Sequence, residues 1–358
     1  MSPRRFRHLF RPELAGMEPY AAEVQTGRIR LDANESPFSL APEVRREIMK
    51  ALSRVPVNRY PDPEARELKA AVASWLNVEP DWILLGNGSD EIISLLAAAV
   101  AVPGARALVP TPSFSMYALI AQGHGLAVDA VPLDERFDLR MEEMRAALSR
   151  RPRIVLLGYP NNPTGVCYSR TRINEVVDLA PGLVVIDEAY GDYSGKSFLS
   201  NGDRHRNVVV LRTVSKIGLA ALRLGVMAAH PEIVREIEKI RLPYNINALT
   251  QTAARIALSH PRALSAQVKK VIRERDRLME ALEWTRGLSP YPTEANFILF
   301  RTVGDADAIH SGLLSRGVVI RNLSRTPALK NCLRVTVGTP AENKAFLEAL
   351  QLALKEIQ

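Results

Sequence analysis

Apolar residues recur at two different spacings along this chain of 358 residues. Between about residues 40 and 245, segments with a helical period alternate with short apolar runs that are typical of buried strands. Helices are predicted over 42–54 and 63–77, each opened by a proline, which suits the first turn of a helix. Strands are predicted over 105–110, 153–158, 183–187, 208–212 and 224–229. This alternation favours a mostly parallel sheet wrapped by helices.

The pattern changes after about residue 245. A long amphipathic segment over 261–284 precedes three apolar strands, and a helix over 341–357 closes the chain. The three strands are predicted over 296–301, 317–323 and 332–338. We therefore expect a large domain over residues 31–245 and a small α+β domain over residues 246–358. Residues 1–30 are expected to belong to the small domain as an N-terminal arm.

Composition and charge change this picture little. The formal net charge is +8, but basic and acidic residues are interleaved, as in 235–241. A solvated surface with a mild preference for anionic small molecules is therefore favoured over nucleic acid binding. The two cysteines, Cys167 and Cys332, are far apart and the six histidines are isolated, so neither a disulfide framework nor a metal site is predicted. With no signal peptide and no apolar run of about 18 residues, we expect a cytoplasmic protein.

The most distinctive chemistry lies just after the predicted strand 208–212. Lys216 follows this strand, flanked by Thr213 and Ser215, and Arg223 comes seven residues later. Ligands of open α/β sheets bind beyond the carboxyl ends of the strands. An amine among hydroxyls and a guanidinium at such a place suits an anionic ligand.

Other predicted strand ends carry polar groups of complementary kinds. The glycine-rich turn 86–91 opens an apolar helix whose first amides would face an anion, although a helix-capping turn is the commoner meaning of such a stretch. The loop 159–165 either presents asparagines to a ligand or is only a turn. The strand 183–187 ends in a carboxylate, which either binds a ligand or caps a helix. The residues concerned are Gly88, Ser89, Asp90, Asn161, Asn162, Asp187 and Tyr190.

Together these groups suit pyridoxal phosphate. The lysine amine would form a Schiff base with the cofactor aldehyde, and the carboxylate would keep the pyridinium nitrogen protonated. The phenol and the amide would hydrogen-bond the ring oxygen, while hydroxyls, helix amides and an arginine would hold the phosphate. Phe114, in the segment 112–117, offers a flat apolar surface for the ring.

The order of these motifs resembles that of the fold-type-I aminotransferases, which depend on pyridoxal phosphate, and more narrowly that of the histidinol-phosphate aminotransferases. The resemblance runs from about residue 17 to the C-terminus. It is carried by DANESP (32–37), NRYPDPEARELKAAVA (58–73), GNGSDE (86–91), PSFSMY (112–117), NNPTG (161–165), DEAY (187–190), SK (215–216), LRLG (222–225), RLPYNINALTQ (241–251), EANF (294–297) and CLRVTVGT (332–339). It implies an α/β fold of this type, with a mostly parallel central sheet wrapped by helices in the large domain. It also implies a homodimer whose active site lies between the domains and at the subunit interface.

The same resemblance implies roles for individual residues. Lys216 would be the Schiff-base lysine and Asp187 the pyridinium partner, while Asn162 and Tyr190 would donate to the ring oxygen; Lys216, Asp187 and Tyr190 would be catalytic. The residues implied at the cofactor phosphate are Ser89, Thr213, Ser215, Arg223 and, from the neighbouring subunit, Tyr60. The residues implied at the substrate are Arg334 on the α-carboxylate and Arg321, Tyr20, Asn34 and Tyr244 at the side-chain end. The step from Lys216 to Arg223 is one residue shorter than in many relatives.

The reaction that the resemblance implies is amino transfer between histidinol phosphate and 2-oxoglutarate, giving imidazole acetol phosphate and glutamate, within histidine biosynthesis. Alternatives of the same fold are a threonine-phosphate decarboxylase and an aromatic amino-acid aminotransferase, and PYNIN (243–247) with EANF (294–297) favours the transaminase over the decarboxylase. A catalytically silent effector-binding protein is a further alternative, although every catalytic position is filled. A nicotinamide dehydrogenase is disfavoured, because the turn 86–91 lacks the GxGxxG spacing. Expected partners are a phosphorylated amine, a 2-oxo acid and a second copy of the chain.

Overall fold

The computed structural model describes residues 6–17, 28–199 and 206–356. Its strands are β1 (Ile29–Leu31), β2 (Ile83–Asn87), β3 (Arg106–Thr111), β4 (Ala127–Pro132), β5 (Ile154–Gly158), β6 (Leu183–Asp187), β7 (Val208–Thr213), β8 (Leu224–Ala229), β9 (Leu288–Pro290), β10 (Phe297–Thr302), β11 (Val318–Asn322) and β12 (Cys332–Thr336). Its α-helices are α1 (Pro42–Leu52), α2 (Arg66–Leu76), α3 (Ser89–Val100), α4 (Ser115–Gly123), α5 (Met141–Leu148), α6 (Arg170–Leu179), α7 (Gly191–Ser194), α8 (Pro231–Glu238), α9 (Ala248–Leu258), α10 (Pro261–Glu283), α11 (Ala306–Ser315) and α12 (Pro340–Lys355).

The larger sheet has seven strands in the order β2-β8-β7-β6-β5-β3-β4. All pairs are parallel except those that β8 makes with β2 and β7, which are antiparallel. The apolar runs read from the sequence form its inner strands, because a parallel sheet is covered by helices on both faces and selects apolar residues at successive positions. The predicted mostly parallel sheet is confirmed.

Strand β5 illustrates how this sheet is buried on both faces. Successive side chains of a strand point to opposite faces. Accordingly, Ile154 and Leu156 pack into one apolar cluster, and Val155 and Leu157 pack into a different one on the other face. All four are at most 1% exposed, so the sheet is a rigid platform from whose edge the following loops project.

The smaller sheet has five strands in the order β1-β11-β12-β10-β9. Strand β1 is parallel to β11, whereas the other pairs are antiparallel. Helices α11 and α12 cover this sheet, and Phe300 and Phe346 are among the fully buried side chains between them. The predicted smaller α+β part is therefore confirmed, while the residue at which the two domains divide stays a prediction.

The predicted helix starts are correct for α1 but wrong for α2. Pro42 opens α1, whereas α2 begins at Arg66, three residues after Pro63. The cause is a turn in which Ala65 has a left-handed backbone (φ 48°) and the Asp62 carboxylate accepts hydrogen bonds from Arg66, at 2.9 Å from its backbone nitrogen.

In the described residues, no helix has the length and apolar character needed to cross a bilayer.

Candidate active site

A cavity of about 630 Å³ opens where loops from the larger sheet face the smaller sheet. Segments that follow β3, β5, β6 and β7 line one side, together with the start of α3. Residues of β1, β11 and β12 line the other side. The predicted site residues that line it are Asn34, Ser89, Asp90, Phe114, Asn162, Asp187, Tyr190, Thr213, Ser215, Lys216, Arg223, Arg321 and Arg334.

Asp187, the last residue of β6, is a buried carboxylate at this cavity. The Tyr117 hydroxyl donates to its Oδ2 at 2.7 Å and the Ala189 backbone N–H to its Oδ1 at 3.0 Å. Burial raises the pKa of Asp187 to about 6, although both hydrogen bonds and the charge of Lys216 oppose the rise. Burial and the neighbouring Asp187 also raise the pKa of Tyr117, so this phenol remains a hydrogen-bond donor.

Lys216 lies in a short 3₁₀ turn directly after β7. Its Nζ is 3.5 Å from the carbonyl oxygen of Ala33 and 5.8 Å from the ring centroid of Tyr190. The Tyr193 hydroxyl donates to the backbone carbonyl of Lys216, which fixes the turn from the opposite side. The amine therefore projects into the cavity from a held backbone, in front of the buried carboxylate.

Hydroxyls and backbone amides converge at one end of the cavity. Helix α3 begins at Ser89, and its unpaired first N–H groups favour an anion. The Thr213 hydroxyl lies 2.9 Å from the Ser215 hydroxyl and accepts from the Ser215 backbone N–H at 3.1 Å. A Cβ on Gly225 would lie 2.5 Å from the Ser89 nitrogen, so only glycine allows β8 to approach this turn so closely.

Arg223 closes the same end despite the shortened loop. Within this loop, Gly218 (φ 103°) and Arg223 (φ 49°) have left-handed backbones. The guanidinium then lies over the glycine-rich turn: a Cβ on Gly88 would be 2.6 Å from Arg223 Nη2, and Asp90 Oδ2 is 3.8 Å away. Hydroxyls, helix amides and a guanidinium together form a cradle with the chemistry of a phosphate site.

The opposite end of the cavity carries arginines from three strands of the smaller sheet. Arg334 of β12 is the register partner of Arg321 of β11, and Arg30 of β1 also lines the cavity. Arg334 donates to the side-chain oxygen of Asn162 and to the carbonyl oxygen of Asp32, the latter at 2.9 Å. These contacts aim a cationic group at the cavity and suit a second anion, such as a carboxylate or a phosphate.

A buried ion pair holds the two strand ends behind the site. Glu188 follows Asp187, and Arg212 precedes Thr213. The Glu188 carboxylate accepts from Arg212 Nη1 at 3.2 Å and from the Ser197 hydroxyl at 2.7 Å. Burial raises the pKa of Glu188, and the charge of Arg212 opposes that rise. Because either charge alone would be strongly unfavourable in the interior, the pair ties β6 to β7 at the point where both enter the cavity.

The sequence analysis missed two residues of this site. Tyr117 supports Asp187, and its signal was its spacing three positions after Phe114, which places both rings on one face of a helical turn. Arg30 was missed because an isolated arginine in a three-residue strand has no distinctive pattern; only the pairing of β1 with β11 brings it to the cavity.

Of the other predicted residues, Tyr60 and Tyr244 lie away from the cavity, whereas Asn34 lines it but contacts Tyr190. Tyr60 and Tyr244 stack on each other, with ring centroids 4.6 Å apart, and are 82% and 40% exposed. Neither is among the described residues that line the cavity, and the contribution of Tyr60 to a neighbouring subunit stays a prediction. Asn34 lines the cavity, but its amide donates to the Tyr190 hydroxyl at 2.9 Å. Tyr20 lies outside the described residues.

Comparison with known proteins agrees with this geometry. The sequence profile of the aminotransferase class I and II family matches residues 26–350, and the chain belongs to this family. The predicted fold class and family are therefore confirmed.

Within this family, the chain is similar over its whole length to histidinol-phosphate aminotransferases. The chain is 43% identical to histidinol-phosphate aminotransferase 2 of Nitrosococcus oceani over 359 residues, covering 99% of this chain and 100% of the relative. It is 40% identical to the histidinol-phosphate aminotransferase of Aquifex aeolicus over 359 residues, covering 100% and 99%. The crystal structure of the Sinorhizobium meliloti histidinol-phosphate aminotransferase in complex with pyridoxal 5'-phosphate superposes with a TM-score of 0.89 at 27% identity, covering 98% of each chain.

Proposed function

We propose that this chain is a pyridoxal phosphate-dependent aminotransferase that converts histidinol phosphate and 2-oxoglutarate into imidazole acetol phosphate and glutamate, and the reverse. The proposal is supported by the names of full-length relatives at 40–43% identity. The structural observation that carries it is one cavity in which a lysine amine and a buried carboxylate lie between an anion cradle and a cluster of arginines.

The residues present fit pyridoxal phosphate. Ser89, Thr213, Ser215 and Arg223 line the cavity and supply the hydroxyl and cationic donors that suit a phosphate group, and the absence of a Cβ at Gly88 leaves room for the Arg223 guanidinium. A buried carboxylate whose pKa is raised to about 6, such as Asp187, is stabilised by a cationic neighbour, and a protonated ring nitrogen is such a group. Phe114 lines the same space and offers a ring face.

When bound, pyridoxal phosphate supplies an aldehyde that bonds to amines and a protonated ring that withdraws electrons from the substrate α-carbon. Lys216 is the residue that would hold this aldehyde, and its amine, when free, would be the base that removes the proton from the substrate α-carbon. Its Nζ is held near the Ala33 carbonyl and the Tyr190 ring, on the cavity side of a fixed backbone. The same amine would thus hold the cofactor at one stage and move a proton at another.

Asp187 keeps the ring nitrogen protonated in this proposal. Tyr117 and the Ala189 amide satisfy its two oxygens from the protein side, so the carboxylate cannot turn away from the cavity. In a dry site, such a preorganised charge stabilises developing opposite charge without any reorganisation.

Arg334 accounts for the use of two substrates at one place. Histidinol phosphate carries a phosphate close to its amine carbon, whereas glutamate carries a carboxylate there. A guanidinium binds either anion in a bidentate manner. Arg321 and Arg30 add positive charge to the same end of the cavity.

We further propose that the enzyme acts as a cytoplasmic homodimer. Support for the dimer comes from exposed apolar side chains on two chain segments that meet where Tyr60 stacks on Tyr244: Val57 is 84%, Tyr60 82% and Leu242 70% exposed. Exposed apolar surface of this kind marks interfaces more often than free surface. Sedimentation equilibrium of the purified protein tests the oligomeric state, and a monomer at micromolar concentration contradicts it.

The test of the activity is a single turnover of purified holoenzyme with histidinol phosphate and no oxo acid. We expect the yellow colour of the bound cofactor to be lost and then restored by 2-oxoglutarate. If the colour persists while carbon dioxide is released from threonine phosphate, the decarboxylase explanation is correct instead. If no yellow cofactor binds even after reconstitution, the proposal is wrong.

A further inference from the structure

Asn34 is buried within a set of hydrogen bonds that joins the two halves of the site. It is 2% exposed and follows β1 with a left-handed backbone, φ 55°. Its carbonyl oxygen accepts from Asn296 Nδ2 at 3.0 Å, and its N–H donates to the Thr336 hydroxyl oxygen at 3.0 Å. Its side chain contacts Thr336 on one side and Tyr190 on the other. The position and direction of this amide are therefore fixed.

The Thr336 hydroxyl determines which way the Asn34 amide points. Its oxygen accepts from the Asn34 backbone, and its single proton is donated to Asn34 Oδ1 at 3.2 Å. In a flipped amide, Nδ2 would face Thr336 Oγ1, and the hydroxyl proton would lose the acceptor that it has in Asn34 Oδ1. The amide oxygen therefore faces Thr336, and Nδ2 faces Tyr190 at 2.9 Å.

This orientation decides what the Tyr190 hydroxyl can do. An amide NH₂ only donates, so the phenol oxygen accepts from Asn34, and its own proton must be donated elsewhere. In the described part of the chain, no protein group accepts a hydrogen bond from this hydroxyl, and Tyr190 lines the cavity. The proton is thus directed at whatever acceptor occupies the cavity.

We propose that Asn34 is a positioning residue: acting through Tyr190, it makes this phenol a donor to the ring oxygen of the cofactor. The inference rests on the proposed function, because it requires pyridoxal phosphate in the cavity. It also reassigns Asn34, which the sequence predicts to contact the substrate side chain. Thr336 of β12 supports the same role by holding the amide in its orientation.

The deciding variant is Asn34→Asp, which has the same shape but only acceptors facing Tyr190. The Tyr190 proton would then be donated to the carboxylate and lost to the cofactor. We expect pyridoxal phosphate to bind about tenfold more weakly, as one lost hydrogen bond implies. The pH midpoint of the visible band of the bound cofactor should also move upward, because the lost donor stabilised negative charge on the ring oxygen. Both readouts are measured by absorbance titration, without turnover.

Two comparisons separate this role from a merely structural one. Asn77→Asp makes the same change at another left-handed residue, φ 54°, that is exposed and distant from the cavity, and should leave cofactor binding unchanged. In a Tyr190→Phe background, Asn34→Asp should lose most of its effect, because its partner hydroxyl is gone. An equal loss of affinity in both backgrounds would overturn the proposal, since Asn34 would then act without Tyr190.

A second variant keeps the test decisive if Asn34→Asp fails to fold. Thr336→Val preserves the shape and removes the hydroxyl that orients the amide, and should weaken cofactor binding in the wild-type background but not with Tyr190→Phe. Wild-type affinity in Thr336→Val would count against the inference. A wild-type protein that never binds pyridoxal phosphate contradicts the proposed function, whereas one that binds it and transfers amino groups while Asn34→Asp is unaffected contradicts only this inference.

Discussion

The sharpest physical prediction concerns Asp187 in the cofactor-free protein. Burial raises its pKa from 3.8 to about 6, so the folded state binds the proton more tightly than the unfolded state. Stability from this group is complete below pH 3.8 and is lost as the pH rises through about 6. At about 1.4 kcal/mol per pH unit, ionised Asp187 costs the folded state about 3 kcal/mol at pH 7.

Asp187→Asn removes this titration and retains an acceptor for Tyr117. We therefore expect the free energy of unfolding of the variant, minus that of the wild type, to increase by about 2 kcal/mol between pH 4 and pH 7, since part of the full change lies outside this interval. Urea unfolding of both cofactor-free proteins at several pH values, followed by tryptophan fluorescence, measures this difference directly. With pyridoxal phosphate bound, the order should reverse, because a cationic ring nitrogen favours the ionised carboxylate.

Asp129 provides a control of opposite sign. A hydrogen bond from Arg106 holds the pKa of Asp129 below its usual value, so its stabilising contribution is present at neutral pH and lost as the pH falls through that lowered pKa. Asp129→Asn should therefore destabilise the fold more at pH 7 than near pH 3. A pH-independent difference for Asp187→Asn, alongside the expected slope for Asp129→Asn, would refute the argument from burial.

Three further changes test other parts of the site. Lys216→Ala should lower kcat by about a thousandfold or more with an unchanged circular dichroism spectrum, and substantial residual turnover would contradict its role as the base. Arg334→Lys should raise KM for both histidinol phosphate and glutamate by about tenfold, because the ammonium loses bidentate contact; a change for one substrate alone would contradict the shared site. Gly88→Ala should weaken pyridoxal phosphate binding by about tenfold, because its Cβ would lie 2.6 Å from Arg223 Nη2 and displace a guanidinium that binds the phosphate; wild-type affinity in equilibrium dialysis would contradict this role of the cradle.

Part of this site was predictable because β5, β6 and β7 follow one another both along the chain and in the sheet. Asp187 ends β6, and Lys216 follows β7; the two strands are adjacent and parallel. The carboxyl ends of parallel strands lie at one edge of the sheet. Predicting the two strands from their apolar pattern was therefore enough to predict that the two side chains lie close together. For Asp187 and Lys216, the local sequence pattern therefore predicts the position in the fold.

The rest depends on contacts between distant parts of the chain, which no local pattern encodes. Asn34 lies 302 residues before Thr336 and 156 before Tyr190, and its partners are fixed only when the two sheets meet. The start of α2 was misplaced for a different reason: Pro63 is compatible with a first helical turn, but the side chain of Asp62 stabilises a left-handed turn at Ala65 instead.

Strand β12 explains why the cavity needs both sheets. Arg334 and Thr336 are two residues apart and therefore project from the same face of the strand. Arg334 donates to Asn162, and Thr336 donates to Asn34, which in turn donates to Tyr190. Each proposed donor to the cofactor ring oxygen, Asn162 and Tyr190, is thus oriented by a residue of this one strand, directly or through one amide. A displacement of β12 relative to β6 would disturb the proposed substrate arginine and both donors together, so the orientation of the cofactor and the binding of the substrate anion depend on the same contact between the sheets.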